Sequence, residues 1–214
     1  MTFLELCNRV RQESGVSGGD LLTVVNQQAI LAKIVEWVRQ ADIDIKGLRS
    51  DWNYLWRTAN TSLVVDQRLY SMPDLALFDA NELLSVSINS NELRPMDWQE
   101  FKAQKYHTAP DKRQPSVYTF RPDGLLMVFP VPDAAYAVDV EYSKTVTPML
   151  ADTDVSDIPT HLHDAILQKA LMYYASHEED NSLYGVANTR FEEYMTKMAS
   201  ECLPAIKFNR SRLF

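Results

Sequence analysis

A run of carboxylates and imidazoles between residues 152 and 163 is the strongest candidate for chemistry. It holds Asp152, Asp154, Asp157, His161 and His163. Such side chains close together could bind a divalent metal, so a metal-dependent enzyme is one hypothesis. The run does not fit a Ca²⁺ loop, because Asp157 stands where Gly is needed and His163 where Glu is needed. Histidines two residues apart on a helix point about 200° from each other, so they cannot share an ion. A solvated loop before a helix is the favoured interpretation.

Other catalytic patterns are absent from the sequence. There is no Gly-x-Ser-x-Gly and no His-Glu-x-x-His motif. Cys7 and Cys202 lie near opposite ends among apolar helical positions, which predicts small buried thiols in a reducing compartment. The acidic run at residues 178–180 is typical of a solvated surface. We therefore expect no catalytic residue, no bound metal and no cofactor, and we expect that the protein is not an enzyme.

The charge balance limits the possible partners. The 214 residues include 21 Lys and Arg against 29 Asp and Glu, which gives a net charge of −8, and 46% are apolar. This composition is globular, and an acidic body does not supply the many cations that tight DNA binding requires. The longest apolar run, residues 125–131, contains a proline and is too short to cross a membrane. Glu5 places a charge where a signal peptide would need an apolar stretch, so no export signal is expected.

The first part of the chain has helical periodicity. Residues 2–12 predict a short helix, and residues 26–48 predict a longer one whose apolar residues fall on one stripe. Residues 51–56 predict a further short helix with Trp52 and Trp56 on the same face. We expect Trp37, Trp52 and Trp56 to be structural anchors in the core.

The pattern changes to strand periodicity after residue 60. Apolar and polar residues alternate at residues 63–69, 84–88 and 136–142, which predicts half-buried strands. Residues 117–120 and 125–129 flank Arg121-Pro122-Asp123-Gly124, whose residue types predict a β-hairpin. Residues 97–106 predict one short helix within this region. The middle of the chain is therefore expected to be antiparallel β.

The last part of the chain returns to helical periodicity. Pro159 is expected to begin a long helix, and a second helix follows until Pro204 ends it. Together these elements predict an α+β fold. Residues 1–59 and 147–204 would form a helical bundle, residues 60–146 an inserted antiparallel β region, and residues 205–214 an extended tail. That tail combines cations with apolar anchors, a composition that fits either a segment that orders on a partner or a frayed terminus; the residues are Ile206, Lys207, Phe208, Arg210, Arg212, Leu213 and Phe214.

Several short stretches, taken in order, resemble the head-to-tail adaptor (connector) proteins of tailed bacteriophages. The likeness spans nearly the whole chain, and the ordered set carries it, since no single stretch is diagnostic. The stretches are Phe3-Leu4-Glu5-Leu6 with residues 9–15, Ile34-Val35-Glu36-Trp37-Val38, Asp51-Trp52 with Leu55-Trp56, Phe129-Pro130-Val131-Pro132-Asp133, Asp157-Ile158-Pro159, and His163-Asp164-Ala165-Ile166.

The resemblance implies a structural protein of the virion, made in the host cytoplasm and located at the head–tail interface. It implies a ring, commonly of twelve copies, that joins the portal protein to the tail tube, nozzle or tail-completion proteins. Such a ring forms part of the DNA channel used in ejection, so genomic DNA passes without tight binding. The tail at residues 205–214 would reach onto the portal. The large β region is similar to that of the tubular adaptors of short-tailed phages. A phage with a long tail and a phage with a short tail are both kept as alternatives. A tail-completion or tail-terminator protein that binds the tail tube is the alternative.

Overall fold

The computed structural model describes residues 1–106 and 111–204, which form two compact units. The helical unit comprises residues 1–55 and the described residues from 146 onward, and the β unit comprises the described part of residues 56–145. The combination of helices with one antiparallel and one mixed sheet confirms the predicted α+β fold class. The predicted docking tail, residues 205–214, lies outside the described residues.

Helices make up most of the helical unit, and side chains cap the first turns of two of them, the first and the last. At the start of α1, the Thr2 hydroxyl accepts from the Glu5 N–H, while the Glu5 carboxylate accepts from the Thr2 N–H. Asp180 caps the last helix in the same way, through the N–H of Leu183. The helices of the described residues are α1 Phe3–Glu13, α2 Ala29–Gly47, α3 Trp98–Phe101, α4 Asp164–His177 and α5 Asn181–Cys202, of which α3 belongs to the β unit.

The core of the helical unit follows the apolar stripes of the sequence. On α2, Ile34, Ala41 and Ile45 are completely buried, as their spacing predicts. The helix begins later than the predicted residue 26, because Asn26 has a positive φ angle of 58° and Gln28 has an extended backbone. Trp37 is partly buried, and its ring meets that of Tyr174 edge-on at 6.0 Å between centroids.

Two four-stranded sheets make up the β unit. One has the order β1-β8-β3-β4 and the other β2-β7-β6-β5. The predicted hairpin joins β6 to β7, with Gly124 at φ 81° and its N–H donating to the carbonyl of Arg121. The strands are β1 Trp56–Leu63, β2 Leu69–Tyr70, β3 Ala80–Ile88, β4 Asn91–Glu92, β5 Arg94–Pro95, β6 Val117–Phe120, β7 Leu126–Phe129 and β8 Tyr136–Lys144.

The predicted helix over residues 51–56 is wrong. The structure has a 3-10 turn at Asn53–Leu55, and β1 begins at Trp56, opposite Ser143 of β8. Trp52 is 2% exposed and donates its indole N–H to the carbonyl of Ile45, whereas Trp56 is 46% exposed. Only Trp52 of this pair is therefore buried, because the change to strand geometry turns Trp56 toward solvent.

Two other helix predictions differ from the structure in their extent. In the predicted helix 97–106, α3 covers Trp98–Phe101 and a π-helical segment covers Lys102–Tyr106. The helix that was predicted to begin at Pro159 is preceded by a 3-10 turn at Thr160–Leu162, and α4 begins after that turn at Asp164. Such short turns at helix ends have no separate signal in the apolar periodicity.

Candidate docking surface on the helical unit

Five large aliphatic side chains of the described helical unit are exposed on segments between helices, and Leu48 and Val155 are two of them. The other three lie on the segments that follow α1 and precede α4. Leu22 is 91% exposed, Leu150 is 61% exposed and Val25 is 54% exposed. We call these three residues the apolar patch. Val25 and Leu150 line the same groove of about 290 Å³ beside α2. Exposed apolar side chains that form one contiguous patch mark contact sites for other proteins, whereas single exposed apolar side chains are ordinary.

Contacts with α1 fix the segment that carries Leu22. The Asn8 side chain bonds both backbone groups of Leu21, at 3.1 Å to the carbonyl and 2.7 Å to the N–H. Arg11, which is buried, donates to the carbonyl of Gly18 at 2.9 Å and forms an ion pair with Asp20 at 2.5 Å. Leu21 itself is buried. The neighbouring Leu22 is therefore presented on a backbone that α1 holds in place.

Two aspartates of the run at residues 152–163 hold the same surface together. One carboxylate oxygen of Asp152 accepts from the Val24 N–H at 2.6 Å and from the Thr23 hydroxyl at 3.2 Å. Asp154 accepts from the N–H groups of Leu150 and Ala151 at 2.7 and 2.8 Å, and these bonds lower the pKa of its carboxyl. Both carboxylates thus act on the backbone that positions the apolar patch.

A buried ion pair joins the segment before α4 to α2. The Lys46 ammonium lies 2.6 Å from one Asp42 oxygen, and the Ser156 hydroxyl donates to the other at 2.5 Å. Lys46 also donates to the carbonyl of Thr147 and lies 3.6 Å from Asp157. Burial raises the pKa of the Asp42 carboxyl, although the Lys46 charge and the Ser156 hydroxyl oppose that effect. Asp157, a third acidic residue of the same run, therefore contributes to a structural cluster.

The two histidines of the run lie in separate environments. His163 is completely buried, with its Nε2 2.8 Å from the carbonyl of Ile158 and its Nδ1 3.0 Å from the Met1 amino group. Burial lowers the pKa of His163. His161 is exposed and pairs with Glu201 at 2.7 Å, near the end of α5. Within residues 1–106 and 111–204, no three His, Cys, Asp or Glu side chains come together as metal ligands could.

The predicted cysteine environment fits the same structural picture. Cys7 and Cys202 are buried free thiols in the described chain. Burial raises the pKa of Cys7 to about 12, which keeps the thiol protonated at neutral pH.

The apolar patch was not predicted from the sequence. Its signal is the run Leu21-Leu22-Thr23-Val24-Val25, which has four apolar residues between the first two predicted helices.

The comparison with protein families concerns almost the entire chain. A family model described as SU10 adaptor protein matches residues 1–206. The chain belongs to the SU10 adaptor family. This family comprises head–tail adaptors of bacteriophages, so the resemblance found in the sequence is confirmed. A search of curated protein sequences gave no match.

Membership of the SU10 adaptor family carries a coarse function. The chain is a structural adaptor protein of a phage, a component of the virion, and it interacts with other phage head or tail proteins. Among the residues that the structure describes, no helix is both long enough and apolar enough to span a membrane.

Proposed function

We propose that this SU10 adaptor forms a ring of twelve copies between the portal protein and the tail. The rigid apolar patch carries the proposal, because Leu22 at 91% exposure has a fixed backbone and no cover of its own within the described chain. A protein that acts as a structural joint needs such preformed contact surfaces and no catalytic site. We accordingly propose that the adaptor acts without catalysis, and that its patch docks on a head or tail protein.

The two parts of the chain would have different roles in the ring. We propose a helical domain of residues 1–59 and 147–204 that docks beneath the portal. A β domain of residues 60–146 would extend the DNA channel toward the tail tube, nozzle or tail-completion proteins. The net charge of −8 suits a channel through which DNA moves during ejection, because an acidic wall does not retain phosphates.

The C-terminal segment would strengthen portal docking. Residues 205–214 contain Lys207, Arg210 and Arg212 with no acidic side chain, together with Phe208 and a terminal Leu213-Phe214. Arginine and phenylalanine are effective anchors in protein interfaces, and we propose that this segment reaches onto the portal. The site would be the head–tail interface of a virion assembled in the host cytoplasm.

Light scattering of the adaptor with purified portal protein of the same phage tests this function. We expect a stoichiometric complex that contains a ring of adaptor copies. Leu22→Asp with Val25→Asp should keep the thermal melt of the wild type and weaken portal binding about tenfold or more, because charges replace apolar contact area. A chain that ends at residue 204 should behave similarly.

Matched substitutions keep the experiment specific. Val64→Asp with Val65→Asp changes two exposed valines of the β unit, which are 52% and 47% exposed, and should not affect portal binding. Binding of the wild-type adaptor to tail tubes instead of the portal would contradict the proposal and favour a tail-completion protein.

A further inference from the structure

A polar cleft of about 440 Å³ lies between α1, α4 and α5. Its charged lining residues are Arg9, Glu13, Asp164, Arg190, Glu193 and Lys197. Arg9 is neutralised inside the cleft, because it lies 2.6 Å from Asp164 and 3.2 Å from Glu13. The cations that remain available are therefore those on α5.

Arg190 and Lys197 are unusual among the cations of the helical unit. Every other Lys or Arg side chain in the described part of that unit has a hydrogen bond, an ion pair or a ring contact, whereas neither of these two has one. Both are exposed, seven residues apart on the same face of α5. Glu193 stands between them, so the α5 side of the cleft carries a net charge of +1, which balances the −1 of Arg9, Glu13 and Asp164 on the other side. The two cations on α5 without partners are the groups that could accept carboxylates.

The same chain carries an acidic counterpart at the turn between α4 and α5. We call Glu178, Glu179 and Asp180 the acidic corner. All three are exposed, and no Lys or Arg of the described chain forms an ion pair with them. The corner is well ordered by backbone bonds, since the Asp180 N–H donates to the carbonyl of Ala175 at 2.9 Å. Three negative charges are thus displayed in a fixed arrangement.

The cleft and the corner face different ways around α5. Ala187, Met198 and Cys202 form the buried stripe of this helix. At about 100° per residue, Arg190 and Lys197 lie on one side of that stripe, while Asn181, next to the acidic corner, lies on the other. Neighbouring copies arranged around an axis would present these two sides of α5 to each other.

We propose that the acidic corner of one copy docks in the polar cleft of the next copy, as the repeating contact of the adaptor ring. The inference rests on the proposed ring. A second copy is the chosen occupant because complementary charges lie on two different surfaces of one chain. A contact between two different surfaces repeats from copy to copy and closes into a ring. The acidic corner contributes carboxylates, and Arg190 and Lys197 supply the donors that lack partners within the described chain.

Two charge-reversal variants test the contact. Arg190→Glu with Lys197→Glu makes the cleft acidic, and Glu178→Lys with Glu179→Lys makes the corner basic. Each variant alone places like charges opposite each other, and we expect the ring fraction on the portal, measured by native mass spectrometry, to fall about tenfold or more. An equimolar mixture should recover rings in which the two variants alternate, because every corner then meets a cleft of opposite charge.

Controls separate this inference from the proposed function. Lys102→Glu with Lys112→Glu, both in the β unit, changes the net charge by the same amount as the cleft variant and should leave ring assembly intact. Circular dichroism should show wild-type folding for all variants, since the altered side chains are exposed. Wild-type assembly of both reversal variants, or no recovery on mixing, would overturn the contact while leaving the ring itself standing. Failure of the wild type to form a ring would instead contradict the proposed function.

Discussion

The helical unit and the β unit organise their polar groups differently. In the helical unit, charged groups are buried in pairs or networks, as Asp42, Lys46 and Arg11 show. In the β unit, the buried polar residues are the hydroxyl-bearing Thr119 and Ser143, and the strands are held by backbone pairing. The difference follows from the long non-helical segments of the helical unit. These segments have no neighbouring strand to bond, so side chains must satisfy and fix their backbone.

The comparison also shows which irregular segments of the helical unit are fixed by side-chain hydrogen bonds. Asp152, Asp154 and Lys46 all bond backbone groups in segments that lack regular structure. The consequence is a fixed surface on which Leu22 and Val25 stay exposed. An adaptor that must dock on another protein gains from this arrangement, because preordered contacts lose less conformational entropy on binding.

Replacement of Trp52 should produce the largest loss of stability. Trp52→Ala removes a 2% exposed indole from the helical unit, and the expected cost is about 3–5 kcal/mol in the free energy of unfolding. Trp56→Ala in the β unit should have little effect, because that ring is 46% exposed. Urea unfolding followed by circular dichroism measures both. Equal losses for the two variants would show that Trp56 is buried after all.

Breaking the buried ion pair should cost nearly as much. Lys46→Met leaves the Asp42 carboxyl buried without its cation, and we expect a loss of about 3 kcal/mol in the same unfolding measurement. Adding Asp42→Leu should restore most of the stability, because no buried charge then remains. Arg49→Ala, which breaks the exposed pair with Asp51, is the control and should change little. A Lys46→Met variant with the unfolding free energy of the wild type would contradict the claim that the helical unit depends on buried charge pairs.

A change in pH should have a smaller effect on the free energy of unfolding. Burial lowers the pKa of His163, so the unfolded chain binds a proton more readily than the folded one. The stability from the neutral ring is complete above the unfolded pKa of about 6.5 and is lost as the pH falls below it, by about 1.4 kcal/mol per unit of pKa difference. Unfolding at pH 7 and pH 5 should show this loss. His163→Gln should reduce it and His161→Gln should not; an identical pH dependence in both variants would contradict the assignment.

Local pattern predicted much of the fold. The stripe of α2 and the turn residues at Pro122 and Gly124 led to a helix and a hairpin that the structure contains. The start of β1 was mistaken for a helix because two tryptophans four residues apart imitate helical spacing. Its remaining residues, Arg57-Thr58-Ala59-Asn60, have no apolar alternation, so pairing with β8 decides their conformation.

The candidate docking surface could not be predicted in the same way. The bond from Val24 to Asp152 joins residues 128 positions apart, and no local pattern encodes it. The carboxylates and histidines at residues 152–163 are conspicuous in the sequence, but many of their partners are backbone groups and side chains distant in sequence. The hypothesis of a metal-dependent enzyme depended on these residues lying together, and the structure places them apart.

Cryo-electron microscopy of the head–tail junction in the phage that encodes this chain tests the central claim most directly. We expect twelve copies of the adaptor in a ring on the portal, with Leu22, Val25 and Leu150 covered by a neighbouring protein. A ring on the portal with an uncovered apolar patch would contradict the assigned docking surface. Adaptor copies located only at the end of the tail tube would contradict the proposed function itself.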